Sequence, residues 1–296
     1  MTRLHADEVE LDEALARVLL RARMPEWGDL PLVRLASAGT DNAMFRLGAE
    51  MLLRLPRTPG AARGLRREAE WMPRLAHLPF VHPPLAVGEP AGGYPFPFAV
   101  LPWVPGIDAW TAPPADEGRL ARDLGGFVAG LRALPFAGPG CGGRGSNRGI
   151  PLAAWDHDVR SAVARAADEV DAWACLSAWE ACLAAPTHEG PPLWFHGDLQ
   201  PFNLIVREGR LAAVIDWGAL GTGDPACDLA PAWQVLGDLK ARAAFREAAG
   251  ADDAIWVRGK GWALGKALEA IPYYRETNPA FADFARRTLA RVLADP

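Results

Sequence analysis

No uninterrupted apolar run in the 296 residues approaches the ~18 that a membrane span requires, which excludes a transmembrane reading. The chain also lacks a basic start: Asp7, Glu8, Glu10, Asp12 and Glu13 are the opposite of a secretory leader, so a cytoplasmic location is expected. A surplus of positive charge is missing as well. At a net charge of −5 nothing favours sequence-independent binding of nucleic acid, which needs a basic surface. Cysteine is scarce and unclustered. Cys141, Cys175, Cys182 and Cys227 form no Cys-x-x-Cys pair and read as reduced thiols. The histidines show no His-Glu-x-x-His arrangement, so a zinc hydrolase has no support. No internal repeat is visible.

Tryptophan and proline are abundant instead, with 12 and 27 copies. Tryptophan fills cores or lines pockets, and the prolines between 79 and 97 and between 102 and 114 point to extended connectors. Half the residues are hydrophobic and 23% charged, the balance of an ordinary globular chain large enough for two modest lobes.

The hydrophobic spacing predicts an amphipathic helix over 7–23, stopped by Pro25, and strands over 32–36, 43–47 and 50–55. A helix over 63–75 and a strand over 98–101 follow. Further helices are expected over 116–134, 152–174 and 176–185, then from 228, 239, 253 and 280 onward. Strands with one helix first and helices afterwards suit an α+β chain with a small sheet lobe on a larger helical lobe.

The segment from Trp194 to Ala230 carries the chemistry. Leu193–Phe195 and Asn203–Val206 are apolar segments around a polar loop; Arg207-Glu208-Gly209-Arg210 is a turn, and Leu211–Asp216 reads as a strand ending in a carboxylate. Asp198 in the loop can accept a hydroxyl proton. Asn203 and Asp216, brought side by side by hairpin pairing, offer hard oxygen ligands suited to magnesium.

This segment resembles the catalytic core of the aminoglycoside phosphotransferase family, a branch of the protein-kinase-like fold. The likeness rests on His196-Gly197-Asp198-Leu199, Asn203, Ile215-Asp216-Trp217 and Gly223-Asp224-Pro225 with Asp228-Leu229-Ala230. It implies a nucleotide-binding lobe over 1–101, a hinge over 102–106 and a catalytic, substrate-binding lobe over 107–296. It also implies Asp198 as catalytic base, Asn203 and Asp216 as Mg²⁺ ligands, and ATP or GTP as donor. Asp228 would hold the catalytic loop around His196 in shape. His196 reads as an orienting residue, because no Ser or Cys stands beside it to be activated. Asp224-Pro225 reads as a helix start with a structural role.

On the nucleotide side, small residues Ser37, Gly39 and Thr40 between strands would let backbone N–H groups approach a phosphate. Arg54 would hold the α- and β-phosphates; it stands where the best-known aminoglycoside kinases carry Lys, offering a planar fork instead of a point charge. By the same resemblance Glu68 would pair with Arg54. Glu70 is the rival, but two residues apart on a helix they point about 160° away from each other. Leu101-Pro102-Trp103-Val104-Pro105-Gly106 matches the family's hinge, where the Pro102 carbonyl and Val104 N–H would bond the base edge. Pro102 and Pro105 have no donor, so only Trp103 and Val104 offer N–H groups between them.

Two glycine-rich stretches are set aside. Gly140–Gly145 fits dinucleotide spacing with no strand before it or helix after it. Gly261–Lys266 is one residue short of a Walker A loop, with Ala267 where Ser or Thr is required.

The expected activity is transfer of a nucleotide γ-phosphoryl group to a hydroxyl of a small molecule, an antibiotic or other secondary metabolite, for resistance or self-protection. From 252 to 296 there are six acidic and seven basic residues, no excess of the kind a polycationic aminoglycoside would demand. A bulky, less cationic acceptor is therefore expected. The alternatives are a metabolic kinase (choline-, fructosamine- or homoserine-like), a nucleotide-binding pseudokinase, and a protein kinase. The last is disfavoured because Gly218–Gly223 leads almost directly into Asp224-Pro225, leaving no activation segment.

Overall fold

A computed structural model describes residues 11–35, 41–135, 137–141 and 147–295. The chain divides into two compact units, Met1–Pro105 and Gly106–Pro296.

The first unit is a five-stranded antiparallel sheet with two helices. Its strands are β1 (Leu32–Arg34), β2 (Asn42–Leu47), β3 (Met51–Pro56), β4 (Ala86–Gly88) and β5 (Phe98–Pro102), in the order β1-β2-β3-β5-β4. Helix α1 (Glu13–Arg23) is capped by Asp12, whose carboxylate accepts the Leu15 N–H at 2.8 Å. Its Leu19 and Leu20 join Phe45, Leu47, Leu53, Leu55 and Phe98 in one buried cluster. Leu53 and Leu55 point into that cluster, so strand alternation sends Arg54 to the other face of the sheet. Helix α2 (Pro59–Leu75) begins a turn earlier than the sequence suggested. Pro59-Gly60 resembles a turn, but proline at the first helical position costs no hydrogen bond, and Thr58 Oγ1 caps the Ala61 N–H at 3.2 Å. Strand β4, inside the proline-rich stretch read as a connector, pairs with β5.

The second unit is mainly helical: α3 (Glu117–Arg132), α4 (Asp156–Arg165), α5 (Ala172–Leu183), α6 (Pro231–Gln234), α7 (Leu239–Ala248), α8 (Asp253–Tyr274) and α9 (Pro279–Leu293). The helix expected over 152–174 is two pieces. A short 3₁₀ turn (Leu152–Trp155) leads into α4, the chain turns over 166–170, and Asp171 caps α5 through the Ala174 N–H. The carboxylates of that turn, Asp168 and Glu169, meet Arg275 and Arg286.

Two small sheets frame the loop that carries the chemistry. Strands β6 (Ile107–Asp108), β8 (Leu204–Arg207) and β9 (Arg210–Val214) make one, in the order β6-β8-β9. Strand β7 (Leu193–Phe195) does not join it. It pairs with β10 (Gly221–Gly223), a Gly-Thr-Gly run that the sequence presented as a connector. A Cβ at Gly221 would meet the Phe195 ring at 2.7 Å, so glycine is what lets this strand close on β7. Six tryptophans, Trp155, Trp179, Trp194, Trp217, Trp233 and Trp262, are fully buried, all in this unit. Among the described residues no helix is long and apolar enough to cross a membrane.

Candidate active site

The loop after β7 takes its shape from Asp228. Its two carboxylate oxygens accept the backbone N–H groups of His196 at 2.6 Å and Gly197 at 2.7 Å. Gly197 is in the left-handed region (φ 85°), where a Cβ would meet the Ala219 carbonyl at 3.0 Å, so glycine is required there. His196 is fully buried. Burial pushes its imidazole down to about 4, and its Nδ1 accepts the Asp198 N–H at 3.2 Å. The ring is therefore neutral and spends its acceptor nitrogen on the backbone of its own loop.

The Asp198 carboxylate is surrounded by donors. Oδ2 accepts from Gln200 Nε2 and Asn203 Nδ2, both at 3.0 Å. Oδ1 accepts from Lys266 Nζ at 3.1 Å and Arg148 Nη2 at 3.3 Å. The same two cations also bond the Gly197 carbonyl, at 2.9 Å from Lys266 Nζ and 3.2 Å from Arg148 Nε. Burial by itself would raise the Asp198 carboxyl, but Lys266 and Arg148 outweigh it and hold the group at about 2.

Asn203 closes a 3₁₀ turn (Pro201–Asn203) and is buried. Its Nδ2 is committed to the Asp198 carbonyl and carboxylate, each at 3.0 Å, which turns its Oδ1 away from Asp198. The Ile215 N–H reaches the Asn203 carbonyl at 3.0 Å, so Asp216 lies one residue beyond the pairing partner of Asn203. Asp216 is not the end of a strand, as the sequence suggested: β9 stops at Val214 and Asp216 is left-handed (φ 61°, ψ 69°) and exposed. That backbone breaks the period-2 alternation and re-aims the carboxylate at the hairpin's end.

Asp224 caps its turn through the Ala226 N–H at 3.1 Å and pairs with Arg258, buried on α8, at 2.8 Å.

In the first unit Arg54 and Glu68 form a two-pronged buried ion pair, with Nη1 to Oε1 at 3.3 Å and a second contact from Nη2 to Oε2. Glu68 lies on the buried stripe Ala62, Leu65, Met72 and Leu75 of α2, whereas Glu70 is exposed. At the end of β5 the Trp103 N–H goes to the Glu50 carbonyl at 2.7 Å. Antiparallel alternation then turns the Pro102 carbonyl and the Val104 N–H away from β3. Ser37, Gly39 and Thr40 lie outside the described residues.

Sequence reasoning missed Lys266 and Arg148. Lys266 belongs to the stretch set aside as a failed Walker loop, which is the interior of α8. Its glycines serve packing: a Cβ at Gly265 would meet the Trp155 ring at 2.6 Å. The available signal was a single lysine amid Trp262, Ala263, Leu264, Ala267 and Leu268 on a buried helix, a position that demands an anionic partner.

Burial raises the Asp228 carboxyl to about 6, above its unfolded value near 3.8. A raised carboxyl contributes stability below the unfolded value and loses it as pH rises through the folded one. Lowering pH from about 6 to about 4 should therefore stabilise wild type relative to Asp228→Asn by about 2 kcal/mol. Urea unfolding of both proteins across that range measures it, and a pH-independent difference would contradict it.

The sequence matches the phosphotransferase enzyme family (APH) over residues 32–268. No curated protein matches it. Among solved structures, the GDP complex of wild-type aminoglycoside 2′-phosphotransferase-IIIa superposes with a TM-score of 0.68 at 18% identity, covering 96% of this chain and 99% of that one. A streptomycin–ATP complex of APH(2″)-IIa gives 0.59 at 17% identity, covering 95% and 97%. A thermostable variant of aminoglycoside phosphotransferase APH(4)-Ia, with AMP-PNP and hygromycin B, gives 0.64 at 18%, covering 95% and 98%. At such identity these likenesses establish the fold, the kinase-like one. With the family match spanning most of the sequence, the chain belongs to the phosphotransferase enzyme family.

Proposed function

We propose that this protein transfers the γ-phosphoryl group of ATP or GTP to a hydroxyl of a small molecule, an antibiotic or related secondary metabolite. The observation that carries the reading is the Asp198 carboxylate, bonded to Asn203 and held ionised on a loop that Asp228 fixes. In the reaction the bond between the γ-phosphorus and the β-bridging oxygen breaks, and that oxygen keeps its electron pair on the departing diphosphate. A bond from the alcohol oxygen to phosphorus forms, and the hydroxyl proton passes to Asp198. The transition state of such transfers is loose, so the alcohol proton leaves late and orientation matters more than basicity. A carboxylate held near 2 is suited to that task.

The donor set fits Mg²⁺: an amide oxygen at Asn203 and an exposed carboxylate at Asp216 are hard oxygens, and magnesium takes one or two such groups beside phosphates. Bound there, the ion would neutralise phosphate charge. Arg54, oriented by Glu68, would hold the α- and β-phosphates. The Pro102 carbonyl and Val104 N–H would bond the base edge, with residues 102–106 as the hinge and Ser37, Gly39 and Thr40 along the phosphates. The nucleotide complexes of the similar structures support a nucleotide donor.

The test is a panel of alcohols (kanamycin, hygromycin B, a macrolide, a nucleoside antibiotic, choline and homoserine) with Mg²⁺ and radiolabelled ATP or GTP. Phosphate should appear on an antibiotic and transfer should stop with EDTA. Transfer to choline or homoserine alone would replace the antibiotic reading with a metabolic one. Nucleotide binding without transfer to any alcohol would favour a binding module.

A further inference from the structure

A carboxylate offers about four lone-pair positions, and at Asp198 each one faces a donor. Lys266 Nζ and Arg148 Nη2 take the two on Oδ1. Gln200 Nε2 and Asn203 Nδ2 take the two on Oδ2. The Asp198 side chain is 18% exposed, so an alcohol arriving from solvent reaches it. No acceptor position is open to it there. For the hydroxyl to bond Asp198, one of the four donors must withdraw.

The four are not held alike. Asn203 Nδ2 is anchored a second time, on the Asp198 carbonyl at 3.0 Å. Lys266 Nζ is anchored on the Gly197 carbonyl at 2.9 Å, and Arg148 holds the same carbonyl through Nε at 3.2 Å. Both are also cations, and withdrawing either would leave a partly buried charge without its partner. Gln200 Nε2 is neutral, and Asp198 Oδ2 at 3.0 Å is its only partner among the described residues. The residue is half-buried, and its backbone N–H is fixed separately on the Asp198 carbonyl at 2.9 Å. The amide can therefore swing away while the loop keeps its shape.

We propose that Gln200 is a gate on the catalytic carboxylate: its amide covers the lone pair that the acceptor hydroxyl needs, and the hydroxyl binds by displacing it. The inference rests on the phosphotransfer reading above. The gate selects by what accompanies the hydroxyl. The rest of an alcohol binds elsewhere on the protein, and that binding energy drives the exchange. Water brings only its own O–H against an amide already in place. Gln200 is thus a specificity-determining residue that reserves the γ-phosphoryl group for an alcohol.

Removing the amide uncovers Oδ2 to water. In the hydrolysis that follows, a water oxygen bonds the γ-phosphorus and the bond to the β-bridging oxygen breaks. That oxygen keeps its electron pair on the nucleoside diphosphate, and the water proton passes to Asp198 and on to solvent. The assay is release of inorganic phosphate from ATP or GTP with Mg²⁺ and no alcohol present. It compares wild type, Gln200→Met (similar in length, without a donor) and Gln200→Met combined with Asp198→Asn. Gln200→Met should hydrolyse the nucleotide about tenfold faster than wild type, the factor set by a hydrogen bond to a charged group. Calorimetry with non-hydrolysable ATP and GTP analogues should give the same affinity within about twofold, and the double variant should lose the gain. Gln200→Ala gives the same comparison if Gln200→Met does not fold. An amide that merely orients Asp198 would make its removal slow the reaction. A rate at or below wild type, a gain that survives with Asp198→Asn, or failure of both single variants to fold overturns the gate. If wild type takes up neither analogue, the phosphotransfer reading fails; if it takes one up and hydrolysis is unmoved, only the gate fails.

Discussion

Asp198→Asn should lower turnover by about 10³-fold and leave nucleotide affinity within about twofold, the size general-base groups contribute. The amide keeps one acceptor oxygen, but its NH₂ must face donors that now bond the carboxylate, so it neither orients the hydroxyl as the carboxylate does nor takes its proton. Nucleotide affinity survives because the groups assigned to the phosphates and the base, Arg54, Val104 and Asp216, are elsewhere in the chain. A second effect follows from the cations. Lys266 and Arg148 sit 3.1 and 3.3 Å from one carboxylate oxygen and would lose their counter-charge. The depression of the Asp198 carboxyl from 3.8 to about 2 corresponds to about 2 kcal/mol of stability at neutral pH, which the variant gives up. Thermal melting should show that loss while isothermal titration shows the nucleotide bound as before. Unchanged turnover removes Asp198 from its assigned role.

The fold and the site were unequally legible. The order of elements was plain, because the 3.6- and 2-residue periods survive in α1, α2 and β2. The Arg54–Glu68 contact was legible only through the family resemblance, which left Glu70 as a rival; the structure decides for Glu68, on the stripe that Leu65 and Met72 define. The hidden parts share a physical cause: they depend on partners distant in the chain. The two glycines of β10 swamp the β-propensity of Thr222, and the run becomes a strand because β7 is there to pair with it. Residues 166–171 read as helix and are pulled into a turn whose acids bond Arg275 and Arg286 on another part of the chain. Lys266 stood in a motif rejected on good grounds, and rejecting the motif hid the residue. A lysine set in the apolar run from Trp262 to Leu268 was the clue, and its partner lies 68 residues away.

Asp216 allows the metal assignment to be separated from backbone conformation. After glycine, Asn and Asp adopt a φ of 61° most readily, so Asp216→Ala would combine strain with loss of the carboxylate. Asp216→Asn and Asp216→Gly tolerate that backbone; the first removes only the charge, the second the whole side chain. If Asp216 holds Mg²⁺, both variants should melt within a few degrees of wild type. Both should also need about 10²-fold more Mg²⁺ for half-maximal transfer and lose about 10³-fold in kcat/KM at fixed low Mg²⁺, the range over which charge stabilisation in phosphoryl transfer acts. Raising Mg²⁺ should recover part of the rate in Asn, whose oxygen still offers a weak ligand, and less in Gly, which offers none. If the carboxylate served only to end the hairpin, both variants would keep wild-type Mg²⁺ dependence, and the hairpin's oxygens would not be the metal site. The ordering Asp, then Asn, then Gly in Mg²⁺ requirement is the signature of a ligand, because the backbone demand alone would rank Gly the best tolerated of the three.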